Sequence, residues 1–312
     1  MKKILSATIF FLILIIILVG LGFLLSPNYL FKNQMVNKKS DISTKLAKEE
    51  PYTIDIIVLG DSESYTSISP PELWRDYGYA SYNCGGIGAT LTDIQDVYQA
   101  VLSNQQPKIV LFETNALYRV DGRRKEADNF ISDIMHKILP VTKYHDNWKM
   151  LFQDTRKGYY KGFTISHTID PCDNKEYMIM TDDVENVIND NYDTLKDIYK
   201  LCKENGASLV LYSAHSQTNY NYAKHNGLNK IAKELNVDYI DMNLLNDDIK
   251  IDYTTDTRDR GDHLNVYGAS KSTAYIGKYI NDNYNITDRR NTNIAKSWDE
   301  MLDEYNKELI NK

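Results

Sequence analysis

Ile54-Asp55-Ile56-Ile57-Val58-Leu59-Gly60-Asp61-Ser62 is a β-branched apolar run that stops at a glycine and hands over to an acid and a hydroxyl. A short apolar run bounded by a turn residue reads as a strand buried on both faces. Downstream, Pro70 and Pro71 ahead of Glu72-Leu73-Trp74 suit the first turn of a helix, where the missing N–H has no partner to lose. Ala80-Ser81-Tyr82-Asn83 reads as a second strand and residues 92–102 as a helix, with Ile94, Val97, Val101 and Leu102 on its apolar side. Lys108-Ile109-Val110-Leu111-Phe112 is a third strand. The rhythm resumes with a helix over 184–202, a strand at Ser208-Leu209-Val210-Leu211-Tyr212, a helix over 222–235, a strand at Val237-Asp238-Tyr239-Ile240 and a helix over 267–279. Strands alternating with helices predict an α/β domain around a parallel sheet.

Residues 119–181 break this rhythm and read as a helical and irregular insertion. The tail carries Trp298, Met301, Leu302, Tyr305 and Leu309 at helical spacing, and reads as a terminal helix packed on the domain. Upstream, residues 4–25 hold no charge and follow Lys2 and Lys3. Twenty-odd residues at ~1.5 Å rise cover the ~30 Å hydrocarbon core of a bilayer. Gly22-Phe23-Leu24-Leu25-Ser26-Pro27 lacks a small-x-small cleavage exit, so a signal-anchor is preferred over a cleaved signal peptide. Residues 27–52, polar and Lys-rich, read as a stalk. The expected organisation is therefore 1–26 transmembrane helix, 27–52 stalk, 53–290 α/β domain and 291–312 C-terminal helix. The domain is expected on the extracytoplasmic side of a cell membrane crossed once.

Composition excludes several classes. Charged residues at 25% and hydrophobic residues at 42% are globular values, so a disordered chain is ruled out. The net charge is −7 with no dense basic run, and phosphate binding needs clustered Lys and Arg, so nucleic acid is not an expected partner. The 24 tyrosines against 8 phenylalanines read as compositional bias before they read as sugar platforms. Cys84, Cys172 and Cys202 form no CxxC, and the scattered histidines form no metal-ligand spacing, so no metal and no cofactor is expected.

In doubly wound sheets, ligands bind beyond the carboxyl ends of the strands. The residues expected there are Gly60-Asp61-Ser62, the stretch from Asn83 to Gly88, Glu113-Thr114-Asn115, and Asp259-Arg260-Gly261-Asp262-His263-Leu264-Asn265. A hydroxyl, glycines, an amide and a histidine with carboxylates make up the parts list for serine acyl transfer: nucleophile, base, orienting acid and oxyanion donors.

At these residues the chain resembles the SGNH/GDSL hydrolase superfamily. The nucleophile block is Gly60-Asp61-Ser62, followed by Glu63-Ser64 where the family has Ser-Leu more often. The glycine block is matched best by Gly88 in Ile87-Gly88-Ala89-Thr90, with Gly85 and Gly86 as competitors, and the third block keeps only Asn115. In the last block His263 matches, but Arg260 stands three residues before it where the family has Asp. Asp259 and adjacent Asp262 are the two candidates for the acid. Asp259 is preferred, because neighbouring side chains point apart in extended backbone; Asp262 is expected to accept backbone N–H bonds and present His263.

The resemblance implies a flavodoxin-like three-layer α/β/α fold. It implies Ser62 as nucleophile, His263 as base, and the Ser62 N–H, Gly88 N–H and Asn115 amide as oxyanion donors. Gly261-Asp262-His263-Leu264-Asn265 with Gly268-Ala269, and Leu139-Pro140 with Lys143-Tyr144-His145 and Trp148, are similar to the extracytoplasmic, membrane-anchored SGNH-like proteins of bacterial envelopes. That branch implies a multi-span membrane-bound O-acyltransferase as partner and a cell-envelope polysaccharide as acceptor of acetyl or D-alanyl groups. An esterase of wall glycans is the alternative, and a catalytically inactive assembly or glycan-binding module the second alternative. His145, Trp148, Arg119, Arg123 and Arg124 are candidates for an acceptor or partner surface, with ordinary packing or solvation the plainer reading; His215 and His225 are expected to be structural.

Overall fold

The computed structural model describes residues 2–25, 49–119, 160–174 and 176–310, together with Leu46, Leu139 and Val141. The chain divides into two compact units, Met1–Asp41 with Asp121–Lys157, and Ile42–Val120 with Gly158–Lys312.

In the first unit, α1 (Lys2–Leu24) carries exposed apolar side chains along its length. Its 20 residues Leu5–Leu24 are long and apolar enough to cross a membrane.

The second unit is built in chain order from β1 (Ile56–Leu59), α2 (Ser62–Ser67), α3 (Pro70–Tyr77), β2 (Ser81–Asn83), α4 (Leu91–Leu102), β3 (Ile109–Glu113) and a 3-10 turn (Asn115–Tyr118). After the insertion come α5 (Asn189–Glu204), β4 (Ser208–Ser213), α6 (Tyr222–Leu235), β5 (Asp238–Asp241), α7 (Asn246–Ile249), β6 (Thr257–Arg258), β7 (His263–Leu264), α8 (Val266–Asn283) and α9 (Ala295–Ile310). β1 to β5 form one parallel sheet in the order β2-β1-β3-β4-β5. Ile57 and Leu59 face a layer with Tyr98 of α4, Ile198 of α5 and Leu228 of α6. Ile56 and Val58 face the opposite layer with Leu73 of α3 and Ile276 and Ile280 of α8. Both faces are covered, which is why β1 reads as a continuous apolar run and not as an alternation.

The strand order reverses at β1, with β2 on one side and β3 on the other, so the crevice beyond β1 and β3 is where such a sheet opens a site. α9 packs against α3: the Trp74 and Trp298 rings lie 5.0 Å apart, and Tyr305 donates a hydrogen bond to buried Glu72 at 2.7 Å.

Two departures from the sequence expectation concern the limits of the domain's elements. The helix expected over 184–202 begins only at Asn189, because the Glu185 N–H donates to the Ala223 carbonyl and the Ile188 N–H to the Leu117 carbonyl. The second bond takes the Ile188 N–H that would otherwise bond to the Val184 carbonyl, and the first holds residue 185 against α6. The stalk expected over 27–52 has its last part on the domain: Leu46 is buried in the core, and Glu49 pairs with Lys161 at 2.7 Å. Most of the expected insertion lies outside the described residues. Its end does not: the Asn83 N–H donates to the Lys161 carbonyl, and 164–174 runs past β6 and β7.

Candidate active site

The turn after β1 leaves no room for a side chain at residue 60. Gly60 has φ +150°, and an added Cβ would stand 2.7 Å from Glu113 Cβ. Only glycine relieves both constraints. Asp61 then caps α2, its carboxylate accepting the Glu63 N–H at 3.0 Å. Ser62 is the first residue of that helix, so its own N–H has no acceptor within the helix.

Asp61 is fully buried. Its second oxygen accepts from the Asn115 amide at 3.0 Å and from Arg119 Nη2 at 2.5 Å. Burial pushes the Asp61 carboxyl up, and the Glu63 N–H, Arg119 and Asn115 oppose that. Asn115 itself starts the 3-10 turn, its N–H held by Glu113 Oε2 at 2.9 Å. Asn191 of α5 steadies the same turn through the Leu117 and Arg119 carbonyls, each at 3.0 Å. An amide has two N–H bonds, so Asn115 keeps one for a further acceptor.

His263 comes from the far end of the chain. β6 and β7 pair antiparallel with Arg258 opposite His263. Between them Asp259, Arg260 and Gly261 have φ of +55°, +58° and +80°. Successive left-handed residues are costly for side chains other than glycine, of the order of 1 kcal/mol each. The tight left-handed turn they make brings residue 259 back under residue 263. His263 Nε2 lies 2.8 Å from Ser62 Oγ, and Nδ1 lies 3.1 Å from Asp259 Oδ2. Asp262 Oδ2 is also near Nδ1, at 3.4 Å. The expectation that adjacent Asp262 points away does not hold. Residue 262 is helical (φ −72°, ψ −48°), not extended, and the alternation of side chains is lost. Nor is its hydrogen-bond partner a backbone N–H: Asp262 Oδ1 accepts from the Asn219 side-chain amide.

Gly88 lies at the same edge with φ +61°, its missing Cβ 3.1 Å from Arg119 Nη1. Its N–H has no hydrogen-bond partner among the described residues. Gly85 approaches the turn after β1 more closely: an added Cβ would stand 2.0 Å from Ser64 Oγ and 2.7 Å from the Asp61 carbonyl. Arg119 thus sits between Gly88 and Asp61. His145, Trp148, Arg123 and Arg124 lie outside the described residues. His215 is fully buried beside the Tyr253 ring, and burial pushes its pKa down to about 3. His225 Nδ1 meets Asp241 Oδ2 at 2.7 Å. No three metal-ligating side chains gather among the described residues.

The sequence reading placed Glu113 at the strand edge without a role, and did not single out Glu63 or Asn219 as site residues. Glu63 and Glu113 are buried beside Asp61, and Asn219 stands on the loop after β4. The available signals were a carboxylate directly after Ser62 and a polar Ser216-Gln217-Thr218-Asn219 run beyond a strand end. Burial holds both glutamates well above the ordinary carboxylate value of 4.5, with Glu113 and Asp61 adding repulsion at Glu63, and Asp61 at Glu113.

A carboxyl that keeps its proton better folded than unfolded contributes fully below the unfolded value of about 4.5, and stability falls as pH rises toward the folded value. Glu113→Gln is therefore expected to raise Tm by a few degrees near pH 8 and to leave it nearly unchanged near pH 4. Thermal melts at the two pH values check this; an equal shift at both refutes it.

No protein-family model matches the chain, and no curated protein matches it. Solved structures with a related chain course include the lipase/acylhydrolase from Enterococcus faecalis, at 14% identity and a TM-score of 0.42, over 75% of this chain and 98% of that one. A GDSL-like lipase from Bacteroides thetaiotaomicron matches at 12% identity and 0.41, over 78% and 99%. An acetyl xylan esterase matches at 12% identity and 0.41, over 73% and 100%. Each is a protein this chain is similar to; the chemistry of the site rests on its own side chains.

Proposed function

We propose that the domain transfers acyl groups through an acyl-serine on Ser62, as a membrane-anchored extracytoplasmic component that moves acetyl or D-alanyl groups onto a cell-envelope polysaccharide. The observation that carries the chemistry is the alignment of Ser62 Oγ, His263 Nε2, His263 Nδ1 and Asp259 Oδ2 at 2.8 and 3.1 Å. Ser62 Oγ attacks the acyl carbonyl as His263 Nε2 takes its proton. The carbonyl oxygen gains the negative charge, and the Ser62 N–H, the Gly88 N–H and the free Asn115 N–H receive it. Each such donor is worth ~2.7–4 kcal/mol to the transition state. The imidazolium returns its proton to the leaving group. A sugar hydroxyl, deprotonated by the same nitrogen, then attacks the acyl carbon, and Ser62 Oγ leaves with that proton returned from His263.

The anchor reading rests on the apolar length of α1. The envelope setting and the multi-span O-acyltransferase partner rest on the resemblance of the 261–269 and 139–148 stretches to the envelope branch. Hydrolysis is the second reading: the carboxylate behind His263 is 57% exposed, so water reaches the edge of the site.

The test uses the full-length protein in detergent. An activated acetyl ester is added, and intact-protein and peptide mass spectrometry follow. An acetyl adduct on Ser62 is expected, and it should be discharged faster by oligosaccharide hydroxyls than by water alone. Discharge by water with no gain from sugar favours the esterase. Absence of any adduct favours an inactive assembly module and overturns the proposal.

A further inference from the structure

We propose that Asn219, clamped between Glu63 and Asp262, is a positioning residue that makes Asp262 a second working carboxylate on His263; this rests on the acyl-serine reading above. The side-chain amide of Asn219 has two N–H bonds. One goes to Glu63 Oε1 at 2.8 Å, the other to Asp262 Oδ1. Both donors are spent, so the amide has no freedom to turn.

The backbone of Asn219 is held as tightly. Its N–H donates to Ser216 Oγ at 3.1 Å, and its carbonyl accepts Lys224 Nζ at 2.6 Å. The same loop braces the histidine loop on either side of this contact. The Gln217 N–H donates to the Gly261 carbonyl at 3.0 Å, and the Thr218 hydroxyl to the Arg260 carbonyl at 3.1 Å.

A leucine at 63 would offer no acceptor. Glu63 stands one residue beyond Ser62 and is buried, so it ties Asp262 to the nucleophile helix itself. Burial with Asp61 and Glu113 close by favours the neutral carboxyl, which accepts from an amide without adding a charge beneath Ser62. The chain Ser62 helix, Glu63, Asn219, Asp262, His263 thus closes a ring whose other side is the Nε2–Oγ contact. With Oδ1 of Asp262 held by Asn219, its Oδ2 stays 3.4 Å from Nδ1 beside Asp259. Asp262 is 31% exposed against 57% for Asp259, so its charge is less screened.

The test is a double-mutant cycle on acyl-serine formation with the full-length protein. Asn219→Ala is expected to lower the acylation rate about tenfold through kcat, with KM unchanged, the scale of one lost hydrogen bond to a charged group. In an Asp262→Asn background, Asn219→Ala should add less than about twofold, because its effect runs through Asp262. Glu63→Leu should lose as much as Asn219→Ala, and Glu63→Gln, which keeps the acceptor oxygen, should recover most of that loss. A full tenfold effect of Asn219→Ala in both backgrounds assigns it a merely structural role and overturns the proposal. So does wild-type acylation by Asn219→Ala. Should Glu63→Leu not fold, the Asn219 cycle decides alone. A wild-type protein that forms no acyl-serine defeats the reading of the site; an active wild type with an additive cycle defeats only the clamp.

Discussion

Ser62→Ala is expected to remove acyl-serine formation completely, and His263→Ala to lower it by at least ~10³-fold, with both variants folded. Alanine at 62 has no oxygen to acylate. Loss of His263 leaves Ser62 as an ordinary alcohol with no base within reach, and the oxyanion donors alone supply only a residual acceleration. The fold should not suffer. Both residues are only half-buried and stand at the open edge of the sheet, so truncation leaves no closed cavity. Adduct formation by mass spectrometry and thermal melts of the two variants beside wild type make the measurement. Wild-type acylation by either variant sinks the assignment. Loss of a cooperative melt marks that residue as structural.

Asp259→Asn is expected to cost on the order of 10²-fold in acylation, by the tautomer argument that holds for buried triads. A carboxylate facing Nδ1 keeps the proton there and leaves Nε2 free to accept from Ser62. An amide in its place can present its NH2 group, which turns the imidazole to the tautomer with Nε2 protonated, and the base is lost. The magnitude falls short of the ~10⁴-fold of a fully buried acid, because Asp259 is 57% exposed and its charge is partly screened. Stability should hold, since asparagine tolerates the left-handed backbone at φ +55° as well as aspartate does. Asp262→Asn keeps an oxygen for Asn219 and should cost only about tenfold. The two variants, assayed at one pH with one activated ester, decide between the acids. An inactive Asp262→Asn beside a near-wild-type Asp259→Asn reverses the assignment, and indifference of both leaves a Ser-His pair working without an acid.

Much of the architecture was legible because it is written locally. The apolar runs at 54–59 and 108–112 had to be covered on both faces, and the helical patterns between them could cover them only in a parallel α/β arrangement. The end of β1 at Gly60, the hydroxyl at Ser62 and the amide at Asn115 follow directly from strand ends, so their shared edge followed from the topology. Helix limits were less legible. The expected helix over 184–202 begins only at Asn189, with the Ile188 N–H bonded to the Leu117 carbonyl, a group that no window around residue 188 contains.

By itself, then, the sequence determined the alternating order of strands and helices, the apolar length of α1, and which chemical groups reach the carboxyl edge of the sheet. These depend on neighbours within a few residues, where periodicity and turn chemistry act. The tertiary structure alone decided how those groups meet. Which carboxylates face His263 turned on the left-handed backbone at 259–261 and the helical residue 262, conformations stabilised by the loop after β4 packed against them. The contact of Glu63 with Asn219 joins residues 156 apart, and that of Asp61 with Arg119 joins residues 58 apart. Distances of that kind are set by how the sheet and its loops close over the core, and hydrogen bonds sensitive to a few tenths of an ångström are fixed only when that closure is complete.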